Sequence, residues 1–282
     1  VELVDKVEME QALLDAYELI LTQANQTPCM MSPLKERLGD YGTGKIVHDI
    51  LLGNEIELEG VDESTKEVLK YLALKDGNRQ INNPKPLMVE ECQQGWKNAK
   101  ERTSSAMKHG THFGHWKVGY TDDEIAEVHT GLANIPFMTG YSPERWKFGI
   151  NTLITKEHGN HRINRLRKIL LYEADYNSNN KVLGRRMMEH AENNNILAPE
   201  QYGSRKNKTA IEFALNKRLI FDILRQTKRP AGICSCDLKS CDDRIFHSFA
   251  SIATQRAGAP ATAIESMFAT IQQLKHIVRT CH

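Results

Sequence analysis

Apolar positions repeat first with the period of a helix and only later with that of a strand. Between residues 4 and 24, Val7, Leu14, Tyr17 and Leu21 recur at helical spacing among acids and amides, which predicts an amphipathic helix. A second helix is predicted over 64–74, after the turn-forming Gly60, and a third over 90–102. Between them, residues 76–86 (DGNRQINNPKP) hold the Asn, Gly and Pro of a linker. Thr121 stands three residues before Glu124, with Ile125 and Val128 following. That arrangement reads as a capping box opening a further helix.

The pattern changes near residue 141. Phe148–Thr155 and Leu166–Leu171 are apolar runs of strand length. Ala174–Asn193 and residues 208–226 are long helical stretches, separated by a turn-like segment at 197–204. The run AGICSCD at 231–237 follows Arg229-Pro230 and reads as a short buried strand, after which 243–256 and 262–276 return to helix. The order of strands and helices predicts an α/β or α+β domain over 141–282. Residues 1–140 form a mainly helical region with no assigned role.

Composition narrows this picture. A chain of 282 residues with 40% hydrophobic and 26% charged residues is globular and long enough to bury a core. No apolar run reaches the roughly 20 residues of a membrane span, and no secretory signal opens the chain, so no membrane partner is expected. Six scattered cysteines read as reduced thiols of an intracellular protein, cytoplasmic or nuclear. Val1 at one end and His282 at the other give both ends the look of cuts from something longer. The net charge of +1 hides an asymmetry: residues 1–92 hold 9 Lys+Arg against 18 Asp+Glu, whereas 161–229 hold 15 against 7. The basic segment suits a polyanion, with a solvated helical surface as the plainer reading.

Four short patterns have ordinary explanations. GDYGTGK at 39–45 has the glycine and lysine spacing of a phosphate loop, but Ile46 stands where a magnesium-binding hydroxyl is needed and PLKERL precedes it in place of a strand. It reads as a glycine-rich turn. Tyr120-Thr121-Asp122-Asp123 spells Y-x-D-D, yet helical periodicity follows it, so a helix cap is the better reading. Cys234, Cys236, Cys241 and His247 lack the spacing of a common zinc site. His109, His112 and His115 are interrupted by Gly110 and Gly114, which argues for a loop over a helix.

The richer chemistry lies between Lys156 and Arg256. Asp237 closes the expected apolar strand and Asp243 opens the expected helix six residues on. A carboxylate at a strand's C-terminal end faces the crevice where ligands of α/β sheets bind, and magnesium takes such hard oxygen ligands. Lys156, Arg167, Arg205, Lys206 and Lys208 lie upstream as candidate phosphate holders.

In these residues the chain resembles reverse transcriptases of non-LTR retroelement type. Lys156 and the RKILL segment at Arg167 match the fingers lysine and R-P-I-x-L, with Lys168 in place of the proline. Gln201-Tyr202-Gly203-Ser204-Arg205 through Thr209 match Q-x-G-F-R-x-x-x-S/T, with Ser204 in place of the aromatic. Cys236 through Ile245 match the first palm motif, apolar-D-x-x-x-A-F/Y-D-x-[IV]. The match covers about half the chain, residues 141–282. It implies a partial right-hand polymerase, fingers and the start of the palm, preceded by the helical region, α+β as a whole.

The resemblance also implies roles. Asp237 would ligate both Mg²⁺ ions of a two-metal nucleotidyl transfer, and the Leu238 carbonyl one of them. Lys156 and Arg167 would clamp the incoming dNTP. Arg205, Lys206 and Lys208 would hold nucleic acid, the partners being an RNA template and a DNA primer. Asp242 stands where the family has Tyr or Phe under the sugar, which implies a decayed copy. The later Y-x-D-D hairpin and the thumb have no counterpart in residues 257–282, so this chain alone is expected to be inactive as a polymerase. Two other expectations stand beside this one: a non-catalytic nucleic-acid-binding module on the basic face between Arg162 and Arg229, and a retroelement remnant that folds incompletely.

Overall fold

A computed structural model describes residues 5–22, 25, 27–74, 82–106, 108–237 and 244–279. It is a mixed α+β structure, mostly helical, with a small three-stranded sheet. Helix α1 (Lys6–Leu21) starts where the Asp5 carboxylate accepts from the backbone N–H groups of Val7 and Glu8, at 2.9 and 3.1 Å. It buries Leu13 and Tyr17, while Val7 and Leu14 of the expected stripe stay exposed.

Three short helices follow: α2 (Leu34–Leu38), α3 (Val47–Leu52) and α4 (Glu63–Tyr71). Their buried side chains, Leu34, Leu38, Ile50, Leu51 and Leu69 among them, form one cluster that takes in Ile252 from far along the chain. The GDYGTGK segment sits between α2 and α3 as a turn packed on Ile252's helix. The Gly42 carbonyl accepts from Gln255 Nε2 at 2.8 Å, and a Cβ on Gly42 would lie 2.3 Å from the Ser248 carbonyl oxygen. Close backbone approach accounts for this glycine.

The larger core is built from α5 (Val89–Lys97), α6 (Phe113–Gly119), α7 (Asp123–Thr139), α8 (Ala174–Asn193), α10 (His247–Arg256) and α11 (Ala261–Gln272). Trp96, Tyr120 and Phe137 from before residue 140 meet Val182, Ile264 and Phe268 from after it. The sheet has the order β2-β1-β3, with β1 at Phe148–Thr155, β2 at Leu166–Leu171 and β3 at Lys275–Arg279. Strands β1 and β2 are antiparallel, from Ile150 opposite Leu171 to Thr155 opposite Leu166. Strand β3 joins β1 in parallel, from Phe148 opposite Lys275 to Thr152 opposite Arg279. No helix among the described residues is long and apolar enough to cross a membrane.

Several expectations are corrected. Residues 231–237 form no strand: they are irregular and exposed. An apolar run becomes a strand only by pairing, and no described strand pairs with this one. The cap of α7 is Asp122, whose carboxylate accepts from Ile125 N–H at 3.0 Å, while Thr121 Oγ1 donates to the Val118 carbonyl. A helix does follow the Y-x-D-D run, with the cap one residue later than expected. His112 is the cap of α6, its Nδ1 accepting from Gly114 N–H at 2.9 Å, and His115 Nδ1 accepts from His112 N–H. That reciprocal capping offsets the helix-breaking tendency of Gly114. The last expected helix ends at Gln272, and Lys275 and His276 belong to β3.

Helix α9 (Ala210–Thr227) is finished at both ends by local sequence. Thr209 and Glu212 make a reciprocal capping box, and Lys228 closes it in the left-handed conformation at φ 50°. None of its residues is buried.

Candidate nucleotide-binding face

The β1–β2 hairpin decides where Lys156 and Arg167 stand. Lys156 N–H donates to the Arg165 carbonyl at 2.9 Å, which continues the ladder one step beyond Thr155. Lys156 is therefore opposite Arg165, and Arg167 is opposite Ile154. Side chains two apart on a strand share a face, and antiparallel partners share it too. By that register Ile154, Arg167 and Ile169 lie on one face of the hairpin; Lys156, one residue past β1, follows in the same alternation, Arg165 lies in the turn before β2, and all five are exposed. Arg165 pairs with Glu157 at 3.4 Å, whereas no described carboxylate pairs with Lys156 or Arg167. Two cations facing solvent as diagonal neighbours can meet an anion from outside without first breaking an internal bond.

The other expected phosphate holders differ among themselves. Arg205 is turned inward. Its Nε donates to Glu192 Oε1 at 2.8 Å, its Nη2 to Glu192 Oε2 at 2.6 Å, and its Nη1 to the Ala198 carbonyl at 2.8 Å. The fork ties the segment after α8 back onto that helix, and the guanidinium holds the Glu192 carboxyl below the usual carboxylate range. Lys208 Nζ lies 5.0 Å from the centre of the Tyr202 ring, and Tyr202 itself meets Phe213 and Asn216 of α9. Lys206 is exposed.

Asp237 is exposed at the end of the irregular segment, and no ion pair among the described residues joins it to Lys156 or Arg167. Leu238, Asp242 and Asp243 lie outside the described residues, as does Cys241. Cys234 and Cys236 are exposed, with their sulfurs 3.5 Å apart. A pair of magnesium ions needs several carboxylates at fixed geometry. Among the described residues, no group of three metal-binding side chains includes Asp237. One carboxylate does not fit a metal pair.

No protein-family model matches the chain, and no curated protein matches it significantly.

Sequence reasoning missed a second chemically distinctive place. The chain has three tryptophans, Trp96, Trp116 and Trp146, and all three line one cavity of about 220 Å³. They come from α5, from α6 and from the turn before β1. The available signal was the rarity of the residue, but separations of 20 and 30 residues show no periodicity that would place them together.

Proposed function

We propose that this chain is the fingers and first palm segment of a retroelement reverse transcriptase, an RNA-directed DNA polymerase, and that it is inactive in extension by itself. The single observation that carries the reading is the shared exposed face of Lys156 and Arg167, the two residues that the resemblance assigns to the triphosphate. A triphosphate gathers negative charge in the transition state, and two cations on a stiff hairpin would meet it with little reorganisation. Within this chain the cations bind and orient, and Asp237 contributes one carboxylate. Arg205 supports this reading only indirectly, by holding the Q-x-G segment against α8.

A second reading, a nucleic-acid-binding module without chemistry, is favoured by the same basic face, with Arg165 beside the pair. The two separate by their ligands. Fluorescent dNTP titrated with Mg²⁺ into the purified chain should bind, and Lys156→Ala with Arg167→Ala should weaken that binding roughly tenfold, as loss of charge-assisted contacts does. Unchanged dNTP binding in the double variant refutes the polymerase reading. Salt-sensitive RNA binding that persists without dNTP binding favours the second. Magnesium-dependent primer extension that Asp237→Ala abolishes would overturn the expected inactivity.

A further inference from the structure

We propose that the tryptophan-lined cavity between α5, α6, α7 and α8 is a binding site for one neutral, planar heteroaromatic ring of nucleobase type. The inference stands apart from the polymerase reading, because none of Lys156, Arg167 and Asp237 lines this cavity.

Size comes first. A cavity of about 150 Å³ holds benzene, so the 220 Å³ here takes one ring or a fused pair. The walls suit a flat ligand. Trp96 lies 5.7 Å from both Trp116 and Tyr120, with interplanar angles of 15° and 22°, so its ring is near parallel to each. Aromatic side chains of this kind are the usual platforms on which unpaired bases stack.

Polarity selects the ligand further. Trp116 Nε1 and His129 Nδ1 belong to two side chains that line the cavity, and both atoms are shielded from solvent with no hydrogen-bond partner among the described residues. Their ring centroids are 4.8 Å apart, so an indole with an unmet donor and an imidazole with an unmet nitrogen are neighbours. Buried polar groups are ordinarily satisfied, and each one left unmet is costly. Dry, empty cavities are apolar, so a cavity walled by two side chains with unmet polar atoms, which a small ring rotation would turn toward a ligand, is unlike one that is merely left over from packing. A purely hydrocarbon ligand would leave both atoms unmet.

Charge argues for a neutral ring. The guanidinium of Arg145 at the cavity is already matched, since Nη1 donates to Asp175 Oδ1 at 3.0 Å and Nη2 to Oδ2, while Trp146 Nε1 donates to Oδ2 at 2.7 Å. Burial, followed by the Arg145 charge, keeps His129 below the ordinary imidazole range and so favours its neutral form. The lining offers no unpaired charge of either sign. A nucleobase presents a donor and an acceptor side by side along one edge, with a π face for stacking. Leu132, Ile135 and Tyr141 also line the cavity and are exposed, which puts them on its open side.

Such a ring has two sources, a free base or nucleoside and an unpaired base of a single strand. The test uses the full chain with ¹⁵N-labelled tryptophan and follows the three indole N–H signals. Adenosine, cytidine, uridine and guanosine are titrated separately, then decamers of A and of U, with toluene as the apolar ring. The expected result is a saturable shift of the Trp116 indole signal with at least one nucleoside. Trp116→Phe, which keeps a ring and removes the donor, and His129→Phe should each weaken binding roughly tenfold, read by nucleoside-induced tryptophan quenching. Lys217→Ala on α9, outside the cavity, should leave affinity unchanged. Decamers that bind more tightly than nucleosides, with the same Trp116→Phe sensitivity, assign the ring to a single strand; decamers that fail to displace a bound nucleoside assign it to a free base. The proposal is overturned if no nucleoside or decamer moves the Trp116 signal at millimolar concentration. Toluene binding as tightly as every nucleoside overturns it too, as does nucleoside binding indifferent to both ring substitutions. A circular-dichroism spectrum matching the parent shows that each variant is folded.

Discussion

Helices α8 and α9 follow each other in the basic segment and have 20 and 18 residues, yet they end in opposite surroundings. The more polar one is the buried one. Helix α8 carries Asn177, Asn179, Asn180, Arg185 and Arg186, and it buries Ala174, Tyr176, Asn179, Val182, Leu183 and Ala191. Helix α9 carries Ile211, Phe213, Leu215, Leu219, Ile220 and Phe221, and every one of them is exposed. Apolar content states what a helix would gain by being covered; it does not supply the cover. Helix α8 lies against α5, α6 and α7, and even its polar groups are used there: Asn179 Nδ2 donates to the Ala133 carbonyl at 3.1 Å. Helix α9 is held by its own caps and by Tyr202, which packs on Phe213 and accepts a hydrogen bond from Asn216.

The contrast is quantitative, and the sharpest way to break it is truncation within the packed body. Leu183→Ala on α8 should cost about 2–5 kcal/mol, the usual range for a leucine removed from a core. Chemical denaturation checks this, and a loss under about 1 kcal/mol, well below that range, would mean the body is less tightly packed than described. Next in size, Gly42→Ala should cost about 1–3 kcal/mol, because the position has φ +62° and the new Cβ would meet the Ser248 carbonyl oxygen at 2.3 Å. A thermal midpoint equal to the parent's would show that the turn is not pressed against α10.

A smaller effect concerns the residue that precedes α8. Glu173 is fully buried, with Oε1 accepting from Lys108 N–H at 3.1 Å and Oε2 without a hydrogen-bond partner among the described residues. Burial raises its carboxyl above the ordinary carboxylate range, against the opposing pull of the Lys108 N–H, Arg145 and His109. The folded state therefore holds this proton more tightly than the unfolded chain does. Its contribution to stability is complete below the ordinary glutamate pKa and is lost as pH rises through the higher folded value. Glu173→Gln removes that dependence, so the variant should gain on the parent as pH climbs out of the acid range. Denaturation midpoints of the two that run parallel across pH 4–8, a window spanning about the ordinary pKa and upward, would contradict the assignment. The smallest change belongs to α9, where Leu219→Ala should stay within about 0.5 kcal/mol, as for other exposed sites. A cost comparable to that of Leu183→Ala would show that α9 is covered in solution.

Legibility in the sequence followed the range of the interaction responsible. The bounds of β1, β2 and α8 were read to the residue, since alternation, helical spacing and flanking turns are all local. Reading failed where a local signal needed a distant answer. The AGICSCD run had the composition of a buried strand and is exposed without a ladder. Arg205 had the position of a phosphate ligand and is spent on Glu192, thirteen residues back. The alternation in β1 and β2 sufficed to place Lys156 and Arg167 on one face once the hairpin register was known.

By itself the chain determined β1, β2 and its longer helices, because caps, periodicity and turn residues act within a few positions of one another; α6, expected as a loop, was not among them. Three things needed the tertiary structure: the parallel pairing of β3 with β1 from more than a hundred residues away, the bare surface of α9, and the meeting of Trp96, Trp116 and Trp146 around one cavity. Each depends on which surfaces compete successfully for burial, and that competition is settled by the whole folded chain.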